Sequence, residues 1–75
     1  MGKTNPTDNS RYIRYLQAER EAVALYTAMA QAEQDTVRAQ IFRELAEAEE
    51  RHVAYWAGKL NLGAKDMPPF KPTFR

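Results

Sequence analysis

The run Gln31-Ala32-Glu33-Gln34-Asp35-Thr36 is almost without apolar groups, and it lies between two stretches of regular apolar periodicity. Before it, from Ser10 to about Glu33, there is neither Gly nor Pro, and Ala, Leu, Glu, Gln and Arg are plentiful. Tyr12, Leu16, Glu19, Val23, Tyr26 and Ala30 recur there at steps of four and three, which is the spacing of one helix face. After it, Phe42, Leu45, Glu49, His52, Trp56 and Leu60 form a second seam, flanked by Ile41, Ala48 and Tyr55. A tight turn in the polar run, with Asp35 as N-cap of the second helix, gives an all-α antiparallel hairpin. Its helices are expected over about residues 10–33 and 36–62. A single long helix is the alternative, because no Gly or Pro enforces the break.

Outside the hairpin, residues 1–9 are polar, include Asn5-Pro6 and read as a flexible arm, with Asp8 or Ser10 capping the first helix. Gly63 is placed to stop the second helix. Residues 64–75 contain Met67-Pro68-Pro69-Phe70-Lys71-Pro72, which cannot continue a helix and reads as an extended tail.

Seventy-five residues make one small domain at most. With the two ends irregular, about fifty residues remain for a core, and a hairpin of that size leaves its apolar stripe open. A homodimer or a higher even-numbered oligomer is therefore expected. The eleven basic groups are interspersed with ten acidic ones for a net charge of +1, which excludes nucleic acid as the expected partner. The absence of cysteine excludes disulfides, thiolate nucleophiles, zinc–thiolate sites and iron–sulfur clusters. The N-terminus has no apolar signal region, and no run approaches the ~18 apolar residues of a membrane span. A cytoplasmic chain without membrane insertion is the expectation.

Glu19, Glu49 and His52 fall on the apolar seams, where titratable side chains are rare. A carboxylate taken out of water without a partner costs several kcal/mol, so it takes up a proton or finds a cation. Glu49 and His52, at i and i+3, project an oxygen and an imidazole nitrogen from one helix face. Folded about residues 34–35, the hairpin sets position 19 opposite position 50, so all three groups meet at one height. One hairpin has too few donors to enclose a metal pair, but a two-fold dimer doubles them to four carboxylates and two imidazoles. Nitrogen and oxygen donors without sulfur suit Fe, Mn or Zn. The Tyr26 hydroxyl is a candidate to hydrogen-bond a ligating carboxylate, and Glu50 a candidate outer ligand or entry-path group. Glu44, Glu47 and Glu50, with Arg43, Arg51 and Arg20, read first as a solvated face, the outer role of Glu50 being the lesser alternative, and Trp56 reads as packing.

The segment Ile41-Phe42-Arg43-Glu44-Leu45-Ala46-Glu47-Ala48-Glu49-Glu50-Arg51-His52 resembles the second metal-binding helix of rubrerythrin-type ferritin-like proteins. Glu19 followed by Tyr26 seven residues later resembles their first helix. The ending, Tyr55-Trp56-Ala57-Gly58-Lys59-Leu60 and then a Pro-rich segment, is most similar to one branch. That branch is the ferritin-like domain that precedes the membrane part in some bacterial vacuolar-iron-transporter-type proteins. The resemblance covers about residues 10–75. It implies a ferritin-like four-helix bundle, here assembled from two hairpins, with a di-iron or di-manganese carboxylate centre. It also implies Glu49 as bridging ligand, Glu19 and His52 as terminal ligands, and ferroxidase or peroxide-reducing chemistry. In the transporter branch the same site would capture or sense iron for a linked membrane domain. The rival expectation from the residues is a metal-free helical interaction module, with Glu19 and His52 as a hydrogen-bonded pair.

Overall fold

Asp35 turns the chain. In the computed structural model, which describes residues 6–73, its side chain accepts a 2.8 Å hydrogen bond from the Arg38 N–H and caps the second helix. The helix before it closes with the Glu33 N–H donating to the Met29 carbonyl at 2.9 Å. The Glu33 carboxylate then accepts from the Asp35 N–H at 3.1 Å, so the polar run satisfies its own backbone without Gly or Pro. The result is a hairpin of α1 (Pro6–Ala32) and α2 (Thr36–Lys59) packed along their lengths, and not one long helix.

Both ends differ from the sequence expectation. α1 starts at Pro6, so residues 6–9 are helical and Ser10 lies inside the helix; residues 1–5 of the expected arm lie outside the described residues. Proline suits a first helical position because its missing N–H would have no partner there. Asp8 then lies in the positive first turn, 4.0 Å from Arg11. α2 ends at Lys59, three residues before the expected stop, and the αL residue is Asn61 (φ 62°), not Gly63. The Asn61 N–H donates to the Gly58 carbonyl at 3.0 Å, and the Leu62 N–H to the Ala57 carbonyl at 2.9 Å. This is a Schellman ending, which asparagine enters at modest cost. Gly63 instead precedes a short 3₁₀ turn, Ala64–Asp66.

The molecule measures 50 × 22 × 20 Å, a rod two helix diameters across. Its core is thin. Leu16 is the one fully buried large side chain among the described residues, joined by Ala30, Ala39 and Ala46. The inward row of α2 is thus Ala39 and Ala46, small residues that let the helices approach. The expected seam of α2 straddles two faces: Leu45 and His52 are exposed, while Trp56 and Leu60 are half-buried.

The expected extended tail of residues 64–75 begins instead with the 3₁₀ turn Ala64–Asp66; Met67 to Thr73 carry no helix or strand, Met67 being extended, and residues 74–75 lie outside the described residues. It folds back along α1. Gln17 Nε2 donates to the Pro69 carbonyl at 2.9 Å and Arg20 Nη1 to the Pro68 carbonyl at 2.7 Å. The Arg20 guanidinium lies 4.9 Å from the Phe70 ring centre, and the Thr73 N–H and hydroxyl donate to the Glu21 carboxylate. Arg20 is therefore a tail anchor, not a member of the solvated charge face expected for it.

Candidate metal centre

α1 and α2 each contribute from mid-length. Glu19 is the central residue of α1, and the antiparallel packing brings Glu49 and His52 to its level. One ligand atom from each of the three side chains lies within 4.8 Å of the other two. His52 Nδ1 is 3.0 Å from Glu49 Oε1 and 3.5 Å from Glu19 Oε1. The i, i+3 spacing on α2 sets the first distance and the hairpin register sets the second.

The electrostatics follow from crowding two carboxylates beside one imidazole. Glu19 and Glu49 share a hydrogen bond that raises the Glu19 pKa, with partial burial and the Glu49 charge adding to the rise. The same bond lowers Glu49, and His52 lowers it further. His52 is raised, first by its hydrogen bond to Glu49 and then by the Glu19 charge. The trio thus holds protons in the place where a cation would sit.

Burial is less than the seam reading implied. The His52 side chain is 56% exposed, against 26% for Glu19 and 22% for Glu49. In a single hairpin the two carboxylates are thus largely covered, and the cluster is open at the His52 edge. The open side continues in apolar side chains along both helices: Tyr15, Met29, Ile41, Leu45 and Tyr55 are all exposed. Tyr15 lies one turn from Glu19 and packs on Trp56 at 4.9 Å between ring centres; Trp56 lies one turn from His52 and also meets Tyr12 at 5.4 Å.

Neither of the two outer candidates joins the cluster. Tyr26 is half-buried two turns along α1, about 10 Å from Glu19 in axial rise, and takes part in none of the cluster's hydrogen bonds among the described residues. Glu50 turns to the opposite side, where it lines a 340 Å³ groove with Arg20, Val23, Ala24, Val53 and Phe70. One residue along a helix rotates the side chain well away from its neighbour, which separates Glu50 from Glu49. The tail anchors Gln17, Arg20 and Glu21 were missed; their only trace in the sequence is a polar row at i, i+3 and i+4.

Among the described residues no helix is long and apolar enough to cross a membrane. Comparisons with protein-family models, with curated proteins and with solved structures return no match.

Proposed function

We propose that the hairpin is half of a divalent-metal-binding, ferritin-like four-helix bundle, with Glu19, Glu49 and His52 as ligands and a second copy supplying the other three. The observation that carries the reading is the convergence of three ligand atoms within 4.8 Å at mid-length of two helices. The apolar side chains above and below them support pairing through that same face. Doubling gives four carboxylates and two imidazoles, whose charge balances two divalent ions. Iron is the favoured metal, with manganese or zinc as alternatives of the same donor preference.

When bound, an iron pair supplies oxidation of Fe(II) by dioxygen or peroxide. The chain's own part is to hold the cations, to fix the His52 ring through Glu49, and to have the second hairpin exclude water from the exposed edge. In a longer protein the same site would capture or sense iron for a linked transporter domain.

Anaerobic Fe(II) titration is the test. The wild-type pair is expected to take up two ions, while Glu49→Ala and His52→Ala lose uptake and keep their helical circular dichroism. Unchanged stoichiometry in either variant removes the assignment. A metal-free pairing module is favoured by one observation, the exposure of Val37 (69%) and Ile41 with no metal needed to explain them. Metal at 100 times its dissociation constant should raise the stability by about 2.7 kcal/mol, whereas the module gives no shift.

A further inference from the structure

We infer that the second copy packs head to tail, its turn end against the first copy's open end, so that the aliphatic half of each face covers the aromatic half of the other. The inference rests on the paired-site reading above and specifies the partner that completes it.

Position comes first. A two-fold axis at right angles to the helices, drawn through the cluster, exchanges the two ends of the rod, and the two rods overlap along their whole length only if the cluster lies at mid-length. A two-fold axis along the helices would unite them at any height. Glu19 is the midpoint of α1, with Glu49 and His52 level with it. The central placement gives the first arrangement its full overlap of the apolar faces, whereas the second does not call for it.

The composition of the face agrees. Toward the turn the exposed large side chains are aliphatic: Leu25, Met29, Val37, Ile41 and Leu45. Toward the open end they are Tyr15 and Tyr55, gathered round Trp56 at 4.9 Å each. Head-to-tail packing lays branched and thioether groups over ring faces.

Charge separates the alternatives further. The open end of the helices carries Arg11, Arg14 and Lys59 against one carboxylate, Asp8. The turn end carries Glu33, Asp35 and Glu44 against Arg38 and Arg43. Opposed ends set a basic end against an acidic one, whereas matched ends set like against like.

The chain has no cysteine, so Gln34→Cys places a single spin label at the exposed turn of each copy. The turn lies fifteen residues from Glu19, about 22 Å along the rod, so head-to-tail labels should stand about 45 Å apart in the Zn(II)-loaded protein. A distance under about 25 Å, the matched-end result, overturns the orientation. Zinc stoichiometry on the same sample reports separately on the paired site, and a saturated sample with no dipolar coupling overturns both readings. Independently, Lys59→Glu should weaken pairing about fivefold, and adding Glu44→Lys should restore it. A Lys59→Glu variant that pairs as the wild type does counts against the inference.

Discussion

His52 and Glu19 both hold their protons more tightly in the folded chain than in the unfolded one. A group of this kind stabilises the fold when protonated. The Glu19 contribution is complete below its ordinary value of 4.5 and fades as the pH rises through its raised folded value. The His52 contribution is complete below 6.5 and fades as the pH climbs past its own raised value. Glu49 runs the other way: its lowered pKa adds stability above 4.5 that is lost as the pH falls through the folded value. The metal-free chain should therefore be most stable in mild acid and soften toward alkaline pH, with Glu19→Gln flattening that slope. Thermal melts in chelator across the range check it, and a wild-type melting point that rose steadily with pH would contradict it. Metal displaces the same protons, so binding should release them and tighten with pH, as calorimetry in buffers of different ionisation enthalpy would record. Glu49 and His52 were legible as a pair from spacing alone, because an i, i+3 pair on one helix needs no tertiary information, whereas Glu19 needed the register of the hairpin. The turning away of Glu50 was equally available from the helical period, which puts it on the solvated face and away from Glu49.

At the scale of elements, the caps carry the testable content. Asp35→Ala removes the one side-chain cap of α2 and should cost about 1 kcal/mol in chemical denaturation. Asn61→Gly should be neutral or slightly stabilising, since glycine adopts φ 62° freely, while Asn61→Val should cost more than the Asp35 change. Equal effects of the two Asn61 variants would show that the αL ending does not matter. Asp35 was readable because an N-cap is a local hydrogen bond between near neighbours. The far end of α2 was misplaced because Asn61 and Gly63 both favour αL, and local sequence does not say which position the chain uses. The tail shows the opposite limit: its extended form follows from three prolines, but its contacts with Gln17, Arg20 and Glu21 span about fifty residues of sequence.

For the whole molecule, the small core sets the expectation. A hairpin in which Leu16 is the one fully buried large side chain among the described residues, with several large apolar groups exposed, cannot draw much stability from its own interior. Its melting temperature should therefore rise with protein concentration, as for any fold completed by association. A concentration-independent transition with a monomer mass in light scattering would remove the paired bundle. Leu16→Ala should lower the melting temperature more than alanine at exposed Val37, provided the interhelical seam is the chief source of monomer stability.

Periodicity, a polar break and one cap residue were enough to determine two helices, the turn between them and the level at which Glu19, Glu49 and His52 meet. These depend on helical rise and on contacts a few residues apart. Which rows of side chains face inward was settled by packing: close approach of the helices selects Ala39 and Ala46, half-covers Glu19 and Glu49 and leaves His52 on the open side. That choice, like the tail's course along α1, depends on how two surfaces fit, and no run of residues encodes such a fit by itself.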